Sequence, residues 1–441
     1  MSVQTTSHSG LPPVPGAKKP SSARPLLAAW LGWTFDGLDG YLYIMVAIPF
    51  VTKLVNLEHA AAGTTPAPAD LMNEVSLKAS IIQAVFLVGW AVGGAFFGRI
   101  GDRLGRSRTL TLTILTYAIF TGLSFFSTRW WHLLIFRFLA ALGIGGEWAA
   151  GSALVAETLP AKHRHWASAL LQSGYICGCI AATLTGGLMS GLDPKWVFVV
   201  GVLPAFVTLW IRHSVPEPAE WTDAASQAPP PKVRDLFAPG MGRTTTLLLI
   251  HISIALTVAW AFLFFTPQAI ARLPEAKGLS QPELTALKTR ITIAYFVVNI
   301  VANFAATWLA RRFGPRLAFF GLMAGALIIL MVGYREQPTL ANIYWITCGF
   351  AFTGLGLFAI FPLYVPLLFP TLLRTLGAGL TYNFGRLAAA GGTLFAGALI
   401  SSSGGPAQAV WWVALLYVPG LAICLMLPIV RTEQSTQDVI S

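Results

Sequence analysis

Five ionisable side chains sit inside otherwise apolar runs of this 441-residue chain: Asp36, Asp39, Arg137, Glu147 and Arg386. A charge at the centre of a membrane costs about 3 kcal/mol or more, so residues of this kind mark functional positions. Asp36 and Asp39 are three residues apart and therefore share a helix face. Two carboxylates that close in a low-dielectric site do not both ionise readily, which suits one of them to taking up and releasing a proton. A fixed salt bridge to a neighbouring helix is the alternative. Asp36 lies about 18 Å along a helix from Arg24, and Arg137 falls at a comparable depth, so an Asp36–Arg137 pair is expected. Such a pair either couples proton binding to movement or braces two helices. Glu147 is expected as a second proton site or a gate contact. Arg386 shares its face with Tyr382 and Asn383, four and three residues earlier. A guanidinium flanked by a phenol and an amide is a receptor for a carboxylate, which it grips in a planar fork. A bridge from Arg386 to Asp36 or Asp39 is the competing reading.

The elements that position these groups follow from composition. Apolar residues make up 55% of the chain and charged ones 11%, against about 25% charge in a soluble domain. The chain is an all-α membrane protein. Twelve apolar stretches of spanning length start near Arg24, Leu77, Ser107, Trp130, His165, Trp196, Arg243, Leu287, Arg316, Leu340, Arg374 and Ala407. The net charge of +11 sits in loops between these spans, so nucleic-acid binding is excluded and both termini are expected in the cytoplasm. The expected organisation is a disordered tail over 1–25, a six-helix bundle over 26–212, a cytoplasmic linker over 213–242, a second six-helix bundle over 243–431 and a tail over 432–441. The Ala/Thr/Pro-rich segment 52–76 reads as a long outer loop. Pro229, Pro230 and Pro231 disfavour one continuous helix through the linker.

One loop stands apart: Gly98-Arg99-Ile100-Gly101-Asp102-Arg103-Leu104-Gly105-Arg106 joins two apolar spans. It is heavily basic and glycine-rich, cannot lie in hydrocarbon, and fixes a cytoplasmic turn. Arg311-Arg312-Phe313-Gly314-Pro315-Arg316 falls 209 residues later, with Gly314 matching Gly105. Leu159, Pro160 and Arg164 recur at an offset of 210 as Phe369, Pro370 and Arg374, and Thr183, Leu184 and Gly187 recur as Thr393, Leu394 and Gly397. A shared register in separate segments indicates a duplicated six-helix unit with a substrate site between the halves near the midplane. In that register Gln172 stands opposite Tyr382 and joins the substrate-binding group, while Ile176 stands opposite Arg386.

The basic hairpin resembles the signature between the second and third helices of the major facilitator superfamily. Arg137 to Gly145 resembles that family's fourth-helix motif, with Ala141 where glycine is usual, and Glu157-Thr158-Leu159-Pro160 with Arg164 resembles its inner-gate segment. The resemblance implies gating roles for Gly98, Asp102, Arg103, Gly105, Arg106, Glu157 and Arg164. Arg311 stands where the second hairpin would carry the acid. Phe35 to Asp39 and Gly143 to Trp148 look most like the proton symporters of organic acids, with the sialate and monocarboxylate branch first and the aromatic-acid branch next. That likeness implies proton coupling at Asp36, Asp39 and Glu147, and the coupling group is completed by Arg137.

Cys177, Cys179, Cys348 and Cys424 lie in apolar runs and read as packing residues; no metal site or cofactor is expected. No nucleophile–base arrangement or phosphate loop is visible, so no enzymatic activity is expected. The combined expectation is a monomer in a bacterial inner membrane that imports a small organic acid with protons by alternating access. A proton-driven exporter, a sugar symporter and a non-transporting sensor are the alternatives.

Overall fold

The computed structural model describes residues 23–189, 192–204, 206, 210–211, 214–227, 232–403 and 405–429, and these form helices and short connections without a strand. Spanning segments must satisfy their backbone groups internally, which helices do. The first half comprises α1 (Ala23–Ala62), α2 (Pro68–Leu104), α3 (Arg106–Ser124), α4 (Trp130–Thr158), α5 (Ala161–Leu188) and α6 (Val197–Val200). A connecting helix, α7 (Ala219–Gln227), follows. The second half comprises α8 (Gly242–Ile270), α9 (Gln281–Phe313), α10 (Pro315–Gly333), α11 (Leu340–Phe350), α12 (Ile360–Tyr364), α13 (Arg374–Ser403), α14 (Pro406–Ala414) and α15 (Tyr417–Met426).

Among the described residues eight helices are long and apolar enough to cross a membrane, and bent α1 makes nine. The other three crossings are α3, α13 and the stretch from α6 onward, which is described only in part. Threonines and Arg106 on α3, and glycine, threonine and serine on α13, lower their apolar character. The result is twelve transmembrane helices in two six-helix halves. α1 bends by 51° between Tyr43 and Val46. Pro49 accounts for the position, because its ring displaces the carbonyl four residues earlier. The eleventh element is likewise interrupted: a π-helical turn over Ala351–Leu355 and a 3-10 turn over Gly356–Ala359 separate α11 from α12. Asn299 of α9 donates to the Ala351 carbonyl at 3.1 Å, replacing a bond the irregular turn gives up.

The two hairpins match in backbone as well as in sequence. Gly105 has φ +102° and Gly314 φ +84°, and each ends one helix and starts the next. A side chain at either position would be strained, so glycine is required twice at the same register. The outer segment 52–76 differs from the loop expected of it. α1 runs to Ala62 and α2 begins at Pro68, and polar pairs join them, Lys78 to Glu58 at 3.1 Å and His59 to Glu74 at 2.8 Å, while Lys78 also pairs with Glu74 within α2 at 2.7 Å. The hydrogen bonds from Lys78 and His59 hold the Glu74 carboxyl below its usual range. Mutual pairing of these side chains lets polar sequence continue as helix. The linker also carries more structure than its composition indicates, in α7 and a 3-10 turn over Val233–Phe237. The tails over 1–22 and 430–441 and the three linker prolines lie outside the described residues.

Candidate functional site

The five membrane-embedded charges are buried: Asp36 and Arg137 at 0% exposure, Asp39 and Glu147 at 1% and Arg386 at 4%. They form two groups. In the first, Arg137 Nη1 donates to both oxygens of Asp39, at 3.1 and 2.9 Å, and Thr121 Oγ1 donates to Asp39 Oδ1 at 2.7 Å. The guanidinium also lies 4.6 Å from the Phe86 ring centroid and 5.2 Å from that of Tyr43. This corrects the expected Asp36–Arg137 pair. Asp39 stands about 4.5 Å further along α1 than Asp36, less than one turn, and depth reckoned from helix ends does not resolve that difference. Removing one partner of a buried pair costs about 3–5 kcal/mol because the other charge is left uncompensated. Arg137→Ala is therefore expected to lower thermal stability in detergent by roughly that amount, with part recovered when Asp39→Ala is added. Losses that simply add would show that the pair is not coupled.

The second group surrounds Arg386. Its guanidinium is held between the rings of Trp90, 4.1 Å away, and Tyr382, 5.0 Å away, while Nη1 donates to Asn383 Oδ1. Among the described residues no carboxylate lies within ion-pair distance of Arg386, and its Nε has no hydrogen-bond partner. Both oxygens of Asp36 are equally without one, as are Glu147 Oε1, Gln172 Oε1 and the indole nitrogens of Trp33, Trp90 and Trp148. An aromatic wall ties these groups together. Tyr175 lies 5.1 Å from Trp33 and 6.5 Å from Trp90, and Trp148 stacks on Tyr382 at 3.9 Å. Asn383 also joins the halves, because its Nδ2 donates to the Gly145 carbonyl at 3.0 Å. Glu147 reaches α1 at Gly32, where a Cβ would fall 1.8 Å from Oε1, so the carboxyl occupies the place a side chain there would need. Buried polar atoms without partners are rare, and each has a reason such as a ligand, a moving proton or an ordered water.

One face of the molecule, that of the hairpins, is closed. Asp102 accepts from the backbone N–H of Thr375 at 3.2 Å and of Leu376 at 2.9 Å, so it sits at the N-terminus of α13, where helix polarity favours an anion. Arg106 bonds Glu157 through Nε and Nη2, both at 2.8 Å, and Glu157 also receives Arg374 Nη1 at 3.0 Å. Gly98 brings α2 within 3.0 Å of the α13 backbone as a Cβ would see it. The connecting segment adds residues that sequence reasoning missed. Glu217 accepts from the N–H of Ser107 and Arg108, Glu220 accepts from Arg374 at 2.8 Å, and Trp221 donates to the Asp102 carbonyl at 3.2 Å. Gly105 abuts Glu217. Arg103 is exposed and outside these bonds, and Arg164 donates to the Leu159 carbonyl at 3.1 Å, capping α4. In the second hairpin Arg311 meets His165 of the other half at 3.2 Å in place of an acidic contact.

The architecture is that of a membrane transporter built from two six-helix halves. The chain belongs to the Major Facilitator Superfamily, whose sequence profile matches residues 27–287. It is 30% identical over 398 residues to a probable 4-methylmuconolactone transporter of Cupriavidus pinatubonensis, covering 88% of this chain and 86% of that one. It is 28% identical over 378 residues to the sialic acid transporter NanX of Escherichia coli, covering 83% and 84%. Among solved structures, the proton:xylose symporter XylE superposes with a TM-score of 0.71 at 17% identity, covering 92% of this chain and 96% of XylE. The chain is a multi-pass transporter and not an enzyme.

Proposed function

We propose that this chain imports a small organic anion together with protons across a bacterial inner membrane, with both termini and the hairpin face in the cytoplasm. The observation that carries the reading is Arg386: buried, over the rings of Trp90 and Tyr382, and without an acidic partner among the described residues. A substrate carboxylate supplies the missing counter-charge, gripped along the Nε edge that Asn383 leaves free. Tyr382 and Gln172 border the same place. Asp36 takes the proton, so anion and proton together neutralise a site that would otherwise carry charge through the occluded state.

Coupling to the gate follows from two helices. α13 carries Arg386 and, about 16 Å away, the N–H groups that bind Asp102. α4 carries Glu147 and, about 15 Å further, Glu157. Filling the site shifts both helices and weakens the closed cytoplasmic contacts, which then open toward the interior. The names of the two relatives support an organic-acid substrate, and the closed hairpin face is the expected loading conformation for import. The test is uptake into proteoliposomes under an inward proton gradient, comparing lactate, sialic acid, an aromatic carboxylate and xylose. Accumulation of one of the acids and not of the sugar is expected. Accumulation of xylose alone would overturn the reading.

A further inference from the structure

One face of α3 has no part in the substrate site yet presents hydroxyls to the acids behind it. Thr113, Tyr117 and Thr121 follow one another at four-residue spacing, about 6 Å of rise per step, and are each buried. Thr121 ends the series at Asp39, to which it donates at 2.7 Å. Thr113 ends it at Glu147, whose Oε2 lies 3.2 Å from its hydroxyl, the Leu110 carbonyl being the other contact at 2.8 Å. Between them on the same face, Tyr117 is 0% exposed and its hydroxyl has no hydrogen-bond partner. A buried tyrosine hydroxyl without a partner is unusual, because phenols in cores find an acceptor.

The close approach that creates this arrangement is written into α4. A Cβ at Gly143 would fall 2.6 Å from the Thr113 carbonyl and 2.8 Å from the Tyr117 nitrogen, and one at Gly146 would fall 2.8 Å from Thr113 Cγ2. These glycines bring α3 near enough for short hydroxyls to reach carboxylates on α1 and α4. A helix that served only as packing would have no need to place three hydroxyls along that line.

We propose that the α3 hydroxyls form a proton relay, with Tyr117 at its centre, linking Asp36, one turn from the braced Asp39, to Glu147 behind the substrate. In each step Tyr117 gives its hydroxyl proton to the ionised carboxylate while Oη receives a proton from the protonated carboxyl. The tyrosine ends neutral and one proton has moved between acids. The inference rests on the symport reading, and it adds the path by which the proton reaches and leaves Asp36 while the substrate side is occupied.

The test compares net uptake with exchange. Proteoliposomes holding Tyr117→Phe are assayed for acid uptake driven by a proton gradient, and separately for exchange of labelled for unlabelled acid, which needs no net proton release. Expected is a fall of about tenfold in gradient-driven uptake with exchange within about twofold of the parent, as for loss of one proton-transfer group. Because the hydroxyl lacks a partner, its removal leaves folding intact. Thr113→Val, which deletes the hydroxyl at one end, carries the same expectation and serves if the first variant is poorly produced. Uptake equal to the parent's in both variants, or uptake and exchange falling together, would overturn the relay. A parent that accumulates no acid would overturn the symport reading and the relay with it, whereas unaltered variants beside a coupled parent overturn the relay alone.

Discussion

Arg386→Ala is expected to abolish saturable carboxylate transport in both net uptake and exchange. Truncating one partner of a buried, hydrogen-bonded charge pair costs about 2–5 kcal/mol, which corresponds to an affinity loss of about 30-fold to several thousand-fold. The guanidinium also lies over the rings of Trp90 and Tyr382, at 4.1 and 5.0 Å from their centroids, and the acceptor side of Asn383 is turned toward it. Arg386→Lys keeps the charge but neither the flat stacking nor the paired N–H groups, and it should recover only a small part of the affinity. Binding of the labelled acid to purified protein checks this directly. Arg386→Ala that binds the acid as tightly as the parent would remove the guanidinium from the substrate site.

The second large effect concerns Asp36. Asp36→Asn keeps the size of the side chain and removes its ability to carry a proton. A gradient of one pH unit provides about 1.4 kcal/mol per proton, or about tenfold accumulation. The variant is expected to equilibrate the acid without accumulating it, so the ratio of internal to external acid falls from about ten to about one, while exchange persists. Asp39→Asn should behave differently, because Asp39 is bound by Arg137 and Thr121 and its loss acts first on stability. The two acids share a helix face, yet one is paired and the other is not. In the proposed mechanism Asp39 therefore braces and Asp36 carries the proton.

Much of this architecture is legible in the residues. The hairpin from Gly98 to Arg106 stands out because charge and glycine interrupt long apolar runs, and its partner at Gly314 appears through register alone. Embedded charges are equally visible, since hydrocarbon makes each one an exception. Which acid meets Arg137 was not legible, because Asp36 and Asp39 differ by less than one helical turn and depth counting is no finer than that. Glu217, Glu220 and Trp221 escaped because a connecting segment has no periodicity to show that it folds against the gate. Aromatic residues gave the weakest signal. Trp260, Phe262, Phe264 and Phe265 form a dense run whose sequence does not separate packed from lipid-facing positions: Phe262 and Phe265 are packed within the second half and Phe264 is 57% exposed. The rings at Arg386 and those packed against them are instead scattered over α1, α2, α4, α5 and α13, where only the packed fold brings them together.

The central claim is that proton and organic anion move together in the same direction. Proteoliposomes loaded with a pH-sensitive dye and given the transported acid outside, with no imposed gradient and with a potassium ionophore to clamp the membrane potential, measure this directly. The account predicts internal acidification on adding substrate to the parent protein and none with Asp36→Asn. Internal alkalinisation on substrate entry, or entry with no change of internal pH, would contradict it.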